Sequence, residues 1–141
     1  MTISQPKNDY RRGRTCVCKL HVHLVFVTKR RRAVLTDAAL IALESIFRDV
    51  CGKMAVTLIK FNGEHDHVHL LVEYPPKLSL STLVNSLKGV SSRLLRRDMP
   101  NLTYNKALRW HLWSPSWFGV SCGGAPLEVV KTYIEDQRRP T

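Results

Sequence analysis

The order of the hydrophobic periods constrains this chain most. Two-residue alternation and helical stripes follow one another as strand, helix, strand, strand, helix, strand, helix. Residues 16–28, CVCKLHVHLVFVT, are rich in β-branched and apolar side chains and predict a buried strand. Lys29 to Arg32 form a basic loop. Thr36 or Asp37 can cap a helix in which Leu40, Leu43, Phe47 and Val50 recur at helical spacing, with Gly52 as its stop. Met54 to Phe61 alternate as a second strand. Asn62-Gly63 predicts a tight turn into a third strand, Glu64 to Tyr74, closed by Pro75-Pro76. Ser79 or Ser81 can cap the next helix, whose apolar stripe is Leu80, Leu83, Val84, Leu87, Val90 and Leu94. Asp98 to Arg109 predict a polar loop. Residues 110–121, WHLWSPSWFGVS, predict an irregular fourth strand carrying Trp110, Trp113 and Trp117. After Gly123-Gly124, Pro126 suits the first turn of a last helix reaching about Arg138.

The first six elements make the split βαβ pattern, an α+β (ferredoxin-like) antiparallel sheet with two helices on one face. The seventh is an appended C-terminal helix. A length of 141 residues suits one domain, placed at 15–141 after a flexible basic arm at 1–14. No apolar run is long enough to span a bilayer, and nothing resembles a secretory leader, so the expected location is the cytoplasm. The four cysteines, Cys16, Cys18, Cys51 and Cys122, lack zinc-finger spacing and read as reduced structural thiols.

Charge points to a partner. Lys and Arg exceed Asp and Glu by 22 to 11, a net +11, and a small domain so basic usually meets nucleic acid. Solubility or ribosome association would have the same composition. No basic amphipathic helix stands out, which disfavours a membrane surface.

Two residue patterns carry chemistry. In the third strand Val68, Leu70, Val72 and Tyr74 share an apolar face. His65, His67, His69, Leu71 and Glu73 share the other. Histidines at i and i+2 have Cα atoms roughly 6.5–7 Å apart, so both imidazoles can converge on one ion. An ordinary polar strand face is the bland alternative, and the block Asp66-His67-Val68-His69-Leu70-Leu71-Val72 weighs against it. In the first strand His21 and His23 also face away from the apolar side; in a split βαβ sheet the first and third strands are central neighbours, so both can lie near the site, in a supporting role such as packing or phosphate contact rather than ligation. In the last helix Tyr133 and Gln137 are four residues apart and share a face. A tyrosine beside a metal can attack phosphorus, and an amide oxygen can join a metal's ligands. Taken alone, Tyr133 would be read as a packing residue.

Five blocks in order give these patterns a context: HLVFVTKRRRAVLT at 23–36, DHVHLLVEYPPK at 66–77, LKGVSSRLLR at 87–96, LWSPSWF at 112–118 and GGAPLEVVKTYIEDQ at 123–137. Over most of its length the chain resembles the single-tyrosine HUH transposases of small hairpin-ended bacterial insertion sequences, together with their REP-associated relatives. The resemblance implies that His67 and His69 are paired metal ligands, Gln137 the third protein ligand and Tyr133 the nucleophile. It implies a homodimer with joined sheets, in which each chain's tyrosine helix can complete the other's site. The core would be 15–122, Gly123-Gly124 the hinge, and 125–139 the catalytic helix. The short tail after Gln137 and the extra His65 depart from the longer family pattern.

The activity so implied is metal-dependent cleavage and rejoining of single-stranded DNA at hairpin-bearing element ends, through a 5′-phosphotyrosine. The expected cofactor is Mg2+ or Mn2+, with Ni2+ or Zn2+ also compatible with mixed ligands. Arg30, Arg31, Arg32, Lys88, Arg93, Arg96 and Arg97 are candidate phosphate contacts, with Lys88 and Arg93 favoured among them. At least two of the tryptophans are expected in the core rather than stacked on bases. The expected partners are single-stranded DNA with hairpins and a second copy of the chain, with no membrane or small-molecule substrate. The setting would be bacterial or archaeal and nucleoid-associated. Competing readings are a domesticated relative acting on chromosomal palindromes, a non-catalytic nucleic-acid-binding module, which would prefer aromatics to histidines on a central strand, and a replication initiator or relaxase.

Overall fold

The structure is a computed structural model that describes residues 10–13, 17–103, 111–122 and 125–140. Its main sheet contains β3 (Leu20–Val27), β4 (Thr57–Glu64), β5 (His67–Tyr74) and β6 (Phe118–Cys122), in the order β4-β5-β3-β6. All neighbours are antiparallel. Helices α1 (Asp37–Lys53) and α2 (Leu80–Asp98) lie on one face, and α4 (Ala125–Glu135) lies on the other. This is the expected split βαβ domain with an appended helix.

The caps fall where the sequence places them. Thr36 Oγ1 accepts from the Ala39 amide and Ser79 Oγ from the Thr82 amide, each satisfying one of the unpaired donors of a first helical turn. Leu40, Leu43 and Phe47 from α1 and Leu83, Val84 and Leu87 from α2 meet Leu24, Phe26, Val68, Leu70 and Val72 from the sheet in a single buried core. Phe47 has Phe26, Phe61 and Trp113 around it, with ring centroids 5.6–6.5 Å away.

Several boundaries differ from expectation. Asn62-Gly63 lies inside β4, and the turn into β5 is His65-Asp66. Gly63 is required for a different reason: a Cβ there would come within 2.7 Å of the His67 carbonyl oxygen. The expected first strand is two strands, a short β2 (Val17–Cys18) and β3. Strand β2 pairs with β1 (Arg11–Arg12), so the distal part of the proposed arm is structured, and Arg11 Nε meets Glu73 Oε2 at 2.5 Å. Residues 1–9 and 14 of that arm lie outside the described residues. The predicted loop after α2 contains a helical turn, α3 (Pro100–Thr103). Of the tryptophan block only 118–122 is strand. Trp113 is buried in the core, where its indole donates to Ser91 Oγ, while Trp117 is partly exposed and Trp110 is outside the described residues. Helix α4 stops at Glu135, short of the expected 139. The hinge Gly123-Gly124 lies outside the described residues.

Candidate active site

The site forms where α4 crosses β4 and β5. A bulge prepares its floor. Leu58 pairs with Val72 and Lys60 with Leu71, so Ile59 is an extra residue in β4. Beyond it Phe61 faces the helical core, while Lys60 and Asn62 meet α4 instead. Asn62 Nδ2 donates to the Ile134 carbonyl at 3.2 Å, adding a second donor to a carbonyl in the last turn of the helix. Its Oδ1 accepts from the Gly63 amide and from Arg139 Nη1. Lys60 pairs with Glu135, and Arg139 Nε donates to Asp37 Oδ1. Ile134 is fully buried beneath the helix. The third strand's histidine face is therefore covered rather than open: Leu71 is fully buried and His69 is only 4% exposed.

This docking brings the four expected site residues together. The Tyr133 ring stands perpendicular to His69 with centroids 5.3 Å apart, and the His67 and His69 rings are 5.0 Å apart at 84°. Tyr133 itself is 53% exposed. Gln137 lies just past the end of α4, where its amide still donates to the Ile134 carbonyl. Its side-chain Nε2 donates to the Tyr133 carbonyl at 3.3 Å, and this turns Oε1 towards His67 Nε2, also at 3.3 Å.

The protonation pattern can be read from the partners. His67 Nδ1 lies 2.8 Å from Asp66 Oδ1, so it carries the proton donated to that carboxylate. Its Nε2 lone pair then faces the lone pairs of Gln137 Oε1, an arrangement that a proton on Nε2 or a cation between them relieves. His69 Nδ1 is 2.9 Å from His23 Nε2, while His69 Nε2 is buried without a hydrogen-bond partner. A buried orphan nitrogen beside a second imidazole and an oriented amide oxygen suits a divalent cation with mixed nitrogen and oxygen ligands. Among the described residues no cluster of three or more His, Cys, Asp or Glu has metal-holding geometry.

Electrostatics favour the ligand state. Burial lowers the pKa of His69 to about 4; His23 and His67 add to the effect and Gln137 opposes it. His69 is thus neutral at pH 7, as a metal ligand must be. Burial also lowers the pKa of His23. Burial alone would raise the Asp66 carboxyl, but hydrogen bonds from His67 and Arg31, with the charge of Arg31, hold it below its usual range. The Asp66 carbonyl accepts from the Thr28 amide at 2.9 Å, which pins the turn to the end of β3.

The other expected residues are dispersed. Arg30, Arg31 and Arg32 are exposed at the His67 end of the sheet, and Arg31 Nε reaches Asp66 Oδ2 at 3.3 Å. Arg30 and Arg31 hold φ values of 57° and 54°, a left-handed conformation uncommon outside glycine. Lys88 does not point freely to solvent. Its Nζ donates to the carbonyls of Ser114 at 2.6 Å and Ser116 at 3.1 Å, and burial lowers its pKa. It lines a cleft with Asn85, Ser92, Arg96, His111 and Trp113, while Arg93 is exposed. His65 sits in the turn, 4.0 Å from Asp66, not on the strand face. Asp66 had no place in the expected set, although its adjacency to His67 could have flagged it. His23, expected near the site in a supporting role, does lie there; its contact with His69, 46 positions away, depends on the strand register.

A split βαβ sheet with a tyrosine-bearing helix across its second face defines the class of domain. Residues 16–137 match the family model described as Transposase IS200 like, and the chain belongs to that family. It is 30% identical over 129 residues to the ISDra2 transposase TnpA of Deinococcus radiodurans, covering 92% of this chain and 91% of that protein. It is 32% identical over 120 residues to the transposase of insertion sequence element IS200 from Salmonella typhimurium, covering 85% and 76%. A crystal structure from Deinococcus radiodurans R1, assigned as a transposase, superposes with a TM-score of 0.75 at 31% identity, covering 92% of this chain and 98% of that one. A REP-associated tyrosine transposase bound to a REP hairpin shares the fold, with a TM-score of 0.58 at 12% identity over 94% and 69% of the two chains. The chain is thus a DNA-processing transposase of the insertion-sequence type. Among the described residues no helix is long and apolar enough to cross a membrane.

Proposed function

We propose that this transposase cuts and rejoins single-stranded DNA at hairpin-bearing element ends, with Tyr133 as nucleophile and His67, His69 and Gln137 as ligands of a Mg2+ or Mn2+ ion. The observation that carries the reading is the convergence of Tyr133, His67, His69 and Gln137 on one sheet face. A bound divalent cation would polarise a phosphate oxygen and stabilise charge on phosphorus. Asp66 orients His67 through its Nδ1, and burial keeps His69 neutral. The exposed Tyr133 hydroxyl gives up its proton and attacks phosphorus. One Oη–P bond forms, the P–O3′ bond breaks, and the departing 3′ oxygen takes up a proton. The DNA is left joined to Tyr133 as a 5′-phosphotyrosine. A second strand's 3′-hydroxyl reverses the chemistry, so the number of phosphodiester bonds is conserved and no nucleotide cofactor is consumed.

Arg30, Arg31 and Arg32, at the edge of this site, are the phosphate contacts the geometry favours, with Arg93 further off. Lys88 contributes by holding the Ser114–Ser116 segment. The proposed homodimer has a surface to form on. Among the described residues β6 pairs only with β3, and Phe118 and Val120 on it are exposed, an apolar edge available to a second copy.

The deciding experiment incubates the protein with single-stranded element ends and Mg2+ and looks for a covalent adduct on a denaturing gel. Wild type is expected to form one. Tyr133→Phe, which keeps the ring and loses the hydroxyl, is expected to bind the DNA and form none. An adduct mapped to any residue other than Tyr133 refutes the assignment.

A further inference from the structure

The two proposed histidine ligands are oriented by different partners. His67 has the partner metal-binding imidazoles commonly have, a carboxylate, here Asp66 at 2.8 Å from Nδ1. Among the described residues no carboxylate hydrogen-bonds to His69. Its Nδ1 is 2.9 Å from another imidazole nitrogen, Nε2 of His23. The two rings stack at 5.1 Å with planes 26° apart. His23 also meets the Tyr133 ring edge-on at 6.2 Å.

The contact follows from the sheet. On β3 and β5, Val25 lies opposite His69 and His23 opposite Leu71, which makes His23 and His69 diagonal neighbours on one face. A nitrogen–nitrogen distance of 2.9 Å requires one donor and one acceptor. Two arrangements satisfy it. If His69 Nδ1 accepts, His69 Nε2 must carry the proton and would be a buried donor without a geometrically formed hydrogen bond, the Gln137 oxygen near it being turned to His67 Nε2. If His69 Nδ1 donates, Nε2 keeps its lone pair and is available to a cation.

We infer that His23 is a positioning residue: its Nε2 accepts the Nδ1–H of His69 and holds His69 in the tautomer whose Nε2 can ligate metal. This rests on the metal reading above. His23 then carries its own proton on Nδ1. The site is asymmetric as a result, with a charged acceptor behind His67 and a neutral one behind His69. The neutral acceptor makes His69 the less basic ligand of the pair.

Imidazole nitrogen NMR of the full-length, metal-free protein reads the tautomers directly. His69 is expected as Nδ1–H, with His23 Nε2 unprotonated. Manganese binding, titrated with MnCl2 alone, gives a second readout. His23→Phe keeps a ring against Tyr133 but offers no acceptor, so it should mix the His69 tautomers and weaken Mn2+ binding about 10–100-fold. His23→Gln restores an acceptor oxygen and should recover most of that loss. Unchanged tautomer and affinity in His23→Phe overturn the inference. So does a wild-type His69 found as Nε2–H, a result that holds even if the variant does not fold. Wild type that shows the expected tautomer but binds no Mn2+ refutes the metal reading instead.

Discussion

At the scale of single residues, the site depends on keeping imidazoles neutral and aimed. His69 shows how burial does the first. Its pKa of about 4 lies below the ordinary value of 6.5. As pH falls below 6.5 the unfolded chain takes up a proton that the folded chain refuses until about pH 4. The unfolded state therefore binds more protons in that window, and stability must fall with pH there, with no contribution above it. Without metal, the loss between pH 7 and pH 5 should be about 1–2 kcal/mol. Urea unfolding in EDTA at the two pH values should show it, and His69→Gln should show a smaller acid dependence. An identical dependence in the variant would place the effect elsewhere. A second prediction concerns chemistry: His67→Ala combined with His69→Ala should abolish DNA cleavage, while DNA retention on a filter stays near wild type. The phosphate contacts lie on other residues. Cleavage at the wild-type rate by the double variant would remove the histidines from the site.

Among the elements, α4 is the one whose position decides function. The core beneath it is built from α1, α2 and the sheet and does not need it. What holds α4 is mostly polar: Asn62 at its C-terminal carbonyls, Lys60 with Glu135, and Arg139 with Asp37 and Asn62, around the buried Ile134. Asn62 is itself buried, so Asn62→Ala removes one of the two donors to the Ile134 carbonyl and the acceptor of Arg139 Nη1, at a cost of about 1–3 kcal/mol. The expected result is faster amide exchange in 125–137 with unchanged exchange in α1 and β5. Adduct formation should fall in parallel. Equal exchange of α4 in the variant would mean that Asn62 does not hold the helix. The bulge at Ile59 belongs to the same scale. It turns Asn62 from the core face to the site face, so removing Ile59 should also undock α4.

For the molecule as a whole, the basic surface and the open edge of β6 make the predictions. DNA binding should weaken as salt rises, because phosphate contacts release counterions, and a single strand with a hairpin should bind tighter than plain duplex of the same sequence. Val120→Lys puts a charge on the exposed apolar edge. Sedimentation should show a dimer in wild type and a monomer in the variant, with unfolding midpoints alike. A wild-type monomer that remains active would sink the dimer. In the present structure Tyr133 sits over its own chain's histidines. Mixing inactive His67→Ala and Tyr133→Phe chains therefore should not restore cleavage. Restoration would show that α4 exchanges between partners.

Local information sufficed for much of this. The strand and helix periods, the caps Thr36 and Ser79, and the separation of Val68, Leu70 and Val72 from His67 and His69 depend only on near neighbours in the chain. So does the Tyr133–Gln137 spacing, which survives although Gln137 lies beyond the helix end. Five blocks in order, from 23–36 to 123–137, were enough to indicate a transposase. What local spacing could not supply was pairing across distance. Whether His69 meets His23 or Val25 side by side depends on the register of β3 against β5. Whether Asn62 faces the core or α4 depends on one extra residue in β4. Asn62-Gly63 looks like a turn because its residue types suit one, but β5 pairs with it and moves the turn to His65-Asp66. The covering of the histidine face was likewise decided by α4 packing back onto it. A strand's sequence says which residues share a face, and only the folded chain says what lies against that face.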